Sequence, residues 1–225
     1  MQPTQDASAE FLIKFWPWLE ANRKNLIGTT AAVAVVLFIW YFYTTQQAQK
    51  AVDAGLAYTQ LQLNQSPNAT APEASAAFLK IAGDYSGTLA AARAQLQAAA
   101  VLFDAGRYDD AQALFQKFID GNSGSPLAAG ARLGVAASLE AQNKLDLAAT
   151  QYRAVTTSNP NSLEAISAKF SLAGVLAAQG KLTEATSFYQ EVARSPLAGS
   201  LAQEAGRRLA QIQAKLPAAQ PAAKS

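Results

Sequence analysis

Hydrophobic and polar positions alternate differently in two parts of the chain. From Leu26 to Tyr43 the sequence reads LIGTTAAVAVVLFIWYFY, apolar on every side of a helix, and no charged residue occurs between Lys24 and Lys50. Eighteen helical residues span about 27 Å, close to the roughly 30 Å of bilayer hydrocarbon. Thr29 and Thr30 can return their hydroxyls to the preceding turn. Trp40, Tyr41, Phe42 and Tyr43 form an interfacial aromatic belt, and the polar stretch TTQQAQK follows. The pattern predicts a single transmembrane helix over 26–43 rather than a core helix. The charged region ahead of it is long, and no small-x-small cleavage site is evident after Tyr43, so an uncleaved signal anchor is expected. Lys14, Arg23 and Lys24 precede the span whereas Lys50 follows it. That imbalance places the N-terminus in the cytoplasm and the large C-terminal part outside it.

Ahead of the span, within the segment 1–25, Phe11, Leu12, Phe15, Trp16, Trp18 and Leu19 fall on one helical arc, with Glu10, Lys14 and Glu20 away from it and Pro17 as a kink. The stretch 9–24 reads either as an interfacial helix on the cytoplasmic leaflet or as a docking surface for another membrane protein.

Beyond residue 46 the pattern becomes helical, amphipathic and periodic. An interval of 37 residues aligns Ala99, Ala136 and Ala173, and with them Leu102, Leu139 and Leu176. It also aligns Gly106 with Asn143 and Gly180, Ala111 with Ala148 and Ala185, Phe115 with Tyr152 and Tyr189, and Phe118 with Val155 and Val192. Each period reads as two helices joined at a left-handed Gly or Asn. Small residues stand where the helices meet, and an aromatic four positions later fills the adjacent groove. Pro126, Pro160 and Pro196 punctuate the exits.

These residues resemble the tetratricopeptide repeat, a 34-residue helix–turn–helix unit. Departures are the Gln95 in place of the first-helix Trp, the large Phe118, Val155 and Val192 in place of a small residue, and a longer connection. The fold class expected is all-α: one transmembrane helix, then a solenoid of helical hairpins over 46–216. It comprises a degenerate hairpin over 46–87, three hairpins over 91–127, 128–164 and 165–198, and a capping helix over 201–216. In the degenerate hairpin Leu56, Leu61 and Leu63 are expected contacts, its first helix running on from the span. The capping helix should expose Glu204, Arg207, Arg208 and Lys215, and a disordered tail is expected over 217–225.

Charge and chemistry narrow the function. Eighteen basic and sixteen acidic residues are spread along the chain for a net charge of +2, without the concentrated basic face that nucleic-acid binding needs. Cys and His are both absent from the sequence, which removes thiolates, the commonest metal ligand and the commonest general base. No enzyme, no cofactor and no metal site is expected.

In tetratricopeptide arrays the first helices line a groove for extended or helical peptides. The resemblance therefore implies a peptide groove at Arg93, Leu96, Phe103 and Asp104, at Leu133 and Glu140, and at Phe170, with Ala100, Ala137, Gly174 and Ala177 between them. Leu96, Ala100 and Phe103 do not match the Lys, Asn and Arg of a carboxylate clamp.

The whole order is similar to a bacterial inner-membrane family, the ancillary subunits of the Sec translocon. That similarity implies a periplasmic binding module with translocon subunits and exported or immature envelope proteins as partners, in a chain free to form a homo-oligomer. SPLAAGARL also resembles openings in envelope tetratricopeptide coordinators, which would instead imply a scaffold for cell-wall or division machinery.

Overall fold

A computed structural model describes residues 15–17, 19–64 and 69–215. The expectations resting on Phe11, Leu12, Lys14 and Trp18, on the side chain of Lys215, and on the tail over 217–225 lie outside the described residues. The described chain is helical throughout. After helical residues at 15–17 and 19–21 come α1 (Arg23–Leu63), α2 (Ala71–Asp84), α3 (Leu89–Asp104), α4 (Tyr108–Gly121) and α5 (Ala128–Ala141). These are followed by α6 (Leu145–Ser158), α7 (Leu163–Ala178), α8 (Leu182–Arg194) and α9 (Ser200–Lys215). The chain divides into two compact units, one up to Asp53 and one from Ala54 onward.

In the first unit, α1 carries a stretch long and apolar enough to cross a membrane by length and composition, and the side chains of its apolar window are all uncovered. Thr29 and Thr30 donate to the Leu26 carbonyl at 3.0 and 2.7 Å, so neither hydroxyl breaks the apolar surface unsatisfied.

The second unit is a series of antiparallel hairpins. The leading one joins the end of α1, from Ala54, to α2. The next three are α3–α4, α5–α6 and α7–α8, and α9 follows. Two alanine ladders at the 37-residue interval set how closely these helices approach. Ala91, Ala128 and Ala165 are buried, as is Ala54 in α1; Ala94, Ala131, Ala168 and Ala205 are buried three positions further on. The second helices answer with Ala111, Ala148 and Ala185, all buried. With a methyl group at each crossing, backbones come close enough for larger neighbours to interlock around them. Leu102, Leu139 and Leu176, with Phe115, Tyr152 and Tyr189, do so in one core that runs from α3 to α9. A smaller cluster of Phe78, Ala82, Ala94 and Ala98 joins α2 to α3, with Tyr58 and Leu61 of α1 against it.

The turns of the α3–α4, α5–α6 and α7–α8 hairpins are the same structure. Gly106, Asn143 and Gly180 have φ of 77°, 58° and 76°, the left-handed cap that ends a helix. The next residue's amide, in Arg107, Lys144 and Lys181, reaches back to the carbonyl of Leu102, Leu139 and Leu176 at 2.8–2.9 Å. The interval also relates Thr88, Ser125, Ser162 and Gly199 ahead of the first helices, and Thr88 and Ser162 are the N-caps of α3 and α7. Thr88 and Ser162 side chains accept from Ala91 and Ala165 amides at 3.1 Å, and Ser125 accepts from Leu127 at 3.2 Å. The Thr88 and Ser162 bonds satisfy amides that the first helical turn leaves open, while the Ser125 bond holds the turn ahead of α5. They also explain why α3 starts at Leu89, ahead of the Ala91 expected from the apolar pattern.

Two expectations are corrected here. Leu56 and Leu63 are 58% and 80% exposed, and of the three leucines only Leu61 meets the core. Ala54 occupies the place that Ala91 holds one interval later, which leaves Leu56 and Leu63 uncovered. Glu204 is half-buried rather than exposed, held by Arg207 and, at 2.9 Å, by Arg208.

The junction between α4 and α5 makes a testable point. A Cβ on Gly134 would stand 2.6 Å from three ring atoms of Phe115, and that ring is buried. Gly134→Ala should cost about 1–3 kcal/mol through overpacking. In a Phe115→Leu background the same change should cost nothing or stabilise, since alanine is the better helix residue. Urea unfolding of the full chain in detergent, followed by circular dichroism, measures the difference.

Candidate protein-binding groove

Successive first helices of the hairpins, α3, α5, α7 and α9, bring their backbones close to one another, whereas the second helices stand further apart, α6 and α8 meeting through the Arg153–Glu184 ion pair at 3.0 Å. The first helices therefore form the tighter, inner layer of this unit. Side chains that leave their core side without entering the opposite layer make its open face.

The sequence-derived groove residues sit on these helices in three states. Arg93 and Asp104 are exposed. Leu96, Phe103, Leu133 and Phe170 are half-buried, each resting one side on the common core. Phe103 meets Tyr108 edge-on, with ring centroids 5.2 Å apart, and Phe170 meets Tyr189 the same way at 5.6 Å. Both geometries favour the contact electrostatically. These four side chains thus serve the fold and the surface together, and the helix layer holds them in fixed orientation. Ala100, Ala137, Gly174 and Ala177 are half-buried between them, so the floor is shallow and mostly apolar.

Glu140 behaves differently. Its Oε2 accepts the Tyr152 hydroxyl at 2.8 Å. Tyr152 is 2% exposed, and its phenol is pushed well above the ordinary tyrosine range. Burial is the first cause, followed by the Glu140 charge and the hydrogen bond to it; the Ser171 hydroxyl acts in the opposite direction. Tyr189 is also raised by burial, with Arg208 opposing and Glu140 and Glu204 assisting. Glu204 lies below the ordinary carboxylate range because Arg207 and Arg208 donate to it.

Sequence reasoning missed several participants. Leu56 and Leu63 stand one interval before Arg93 and Ala100, and both are exposed. Arg207 stands one interval after Phe170 and ends the face on α9. The interval itself carried this information, but the break around residues 64–72 hid the register of α1. The Tyr152–Glu140 bond was not legible, because a repeat alignment shows equivalent positions and not partners across a hairpin.

What lies opposite each core aromatic follows a pattern as well. Nineteen residues after Phe115, Tyr152 and Tyr189 come Gly134, Ser171 and Arg208. The bare Phe115 ring faces bare backbone at Gly134. The two phenols have a hydroxyl and a guanidinium nearby.

Among the described residues, no cluster of acidic side chains could hold a metal ion. The open face offers apolar contact, a few charges and no nucleophile paired with a base.

The tetratricopeptide repeat-like domain family matches residues 16–212, and the chain belongs to that family. Among curated proteins none matches the chain. Of solved structures, the chain is similar to the Yersinia enterocolitica type III secretion chaperone SycD, crystallised with a peptide of the translocator YopD. That likeness has 25% identity, 54% of this chain, 91% of that chain and a TM-score of 0.47. PcrH from Pseudomonas aeruginosa has 21% identity over 54% of this chain and 91% of its own, with a TM-score of 0.48. A T3SS complex from Aeromonas hydrophila has 22% identity over 61% and 89%, with a TM-score of 0.49.

Tyr152→Phe removes the donor to a half-buried carboxylate and should cost about 1.5–3 kcal/mol. Because the folded state holds the Tyr152 phenol above its unfolded value, that part of the stability is complete below pH about 10 and is lost as pH rises beyond it. Chemical denaturation at neutral and alkaline pH should show the variant losing less stability than the wild type over that rise.

Proposed function

We propose that this protein is a membrane-anchored, extracytoplasmic protein-binding module that serves the translocon as a chaperone-like accessory factor for exported envelope proteins. The observation that carries the reading is the open face of the inner helices. Leu96, Phe103, Leu133 and Phe170 present apolar surface there while resting on the common core, where a surface formed only for stability would be polar.

A shallow apolar floor with small residues between large ones suits unfolded or amphipathic segments. Such contacts are reversible, because burial of a few side chains gives modest affinity once the segment has been ordered. Fixed side chains cost less entropy on binding than flexible ones, which makes the face usable despite its size. The reading involves no covalent chemistry.

The anchor is the apolar run 26–43. Its side chains are uncovered, which water would penalise and hydrocarbon would not. The balance of Lys14, Arg23 and Lys24 against Lys50 supports a cytoplasmic N-terminus. With the hairpin array on the far side of that span, the order of segments resembles the ancillary subunit of the Sec translocon.

Photo-crosslinkers placed at Leu96 and Phe103 in intact cells test the partners, with a reporter active only outside the cytoplasm fused to the C-terminus. The reading expects an active reporter and capture of translocon subunits together with nascent exported chains. An inactive reporter would refute the topology. Capture confined to wall-synthesis proteins would refute the translocon role and support a scaffold.

A further inference from the structure

Two carboxylates of the groove, Asp104 and Glu140, stand without an ion-paired cation among the described residues, and of the two it is Glu140 that is withdrawn part-way from water. Leu133 and Ala137 of α5 and Phe170, Gly174 and Ala177 of α7 share that face with Glu140, and none of them carries charge. Glu140 is half-buried, and among the described residues no Lys or Arg lies within ion-pair distance of it. Glu204 of α9, on the same layer, has two arginines.

The Tyr152 hydroxyl fixes Oε2 of Glu140 at 2.8 Å. Oε1 has no protein donor among the described residues, yet it is not among the sealed, unpartnered polar atoms. It is therefore open to an approaching group. A carboxylate withdrawn part-way from water, with one neutral donor, gains more from a cation than an exposed one does. Tyr152 adds to this by locking the carboxylate's orientation, so little freedom is lost when a cation arrives.

The geometry points to Glu140 as the residue by which the groove selects its occupant: a segment with apolar side chains for Leu133 and Phe170 and a Lys or Arg positioned to meet the Glu140 carboxylate. The inference rests on the protein-binding reading above and specifies the occupant's chemistry. An acidic segment seated in the same place would set two carboxylates together in a partly desolvated site and would be rejected. Charge at the two ends of the face does not duplicate this role. Asp104 is exposed, where an ion pair is worth little, Arg93 is basic, and Arg207 and Arg208 are engaged by Glu204.

The test uses the full chain in detergent micelles and two labelled peptides of leucine and alanine. They are identical except that one carries a central arginine and the other citrulline, its neutral isostere. Fluorescence anisotropy should give the arginine peptide an affinity about tenfold higher. The preference should shrink as salt is added. Glu140→Gln retains an acceptor for Tyr152, so the fold is kept. It should bring the arginine peptide down to the citrulline level and leave the citrulline peptide unchanged.

Equal affinities for the wild type, or a preference that survives in E140Q, would overturn the assignment of Glu140 while leaving the groove intact. Failure of the wild type to bind either peptide would overturn the groove itself, and the selection with it. A Glu204→Gln variant should keep the preference; losing it there instead would move charge selection to the α9 end and refute the role of Glu140.

Discussion

Close approach of helices is the constraint from which the rest of this structure follows. A two-layer stack works only if each helix can lie against its neighbours without side chains forcing them apart. Alanine meets that condition at every crossing, in the ladders through Ala91 and Ala94 on the first helices and through Ala111 on the second. The cost of so many small residues is little apolar area per position. The leucines and aromatics between them carry the hydrophobic stabilisation, about 1.5–3 kcal/mol for each large side chain fully buried. The left-handed turns at Gly106, Asn143 and Gly180 then fix where each second helix starts, so that its alanine arrives at the crossing.

The open face is a by-product of the same packing. When the inner helices crowd together, their remaining side chains cannot all be covered, and the half-buried Leu96, Leu133 and Phe170 are left with one side free. A surface of this origin is stiff, because each of its apolar residues also belongs to the core. Polar groups on it are correspondingly expensive and few. The carboxylate at Glu140 is tolerated through a tyrosine brought from the opposite layer, a solution that costs neither helix its packing.

Much of this architecture was visible before any coordinates. The 37-residue interval is written in residues that answer to local rules: small at crossings, left-handed at turns, aromatic in grooves. Such rules act the same way in each hairpin, so repetition reveals them. The caps at Thr88 and Ser162 fall two intervals apart, with Ser125 between them bonding the turn ahead of α5 instead, which makes them harder to notice. Leu56 and Leu63 were misassigned because hydrophobicity alone does not distinguish a core position from an uncovered one. Only the placement of Ala54 in α1 resolves that. The Tyr152–Glu140 bond joins residues on antiparallel helices, and its existence depends on their axial stagger, which the sequence states only indirectly.

Repetition carries a hazard of its own: hairpins built to one plan can dock on the wrong neighbour, within one molecule or between two. The seat of Phe115 counters it, since a Cβ at Gly134 would stand 2.6 Å from the ring, while Ser171 and Arg208 hold the equivalent places in the next two hairpins. An array that skipped a hairpin while assembling would bring Ser171 against Phe115, and its Cβ would meet the ring that glycine clears. That seam alone penalises the misstep.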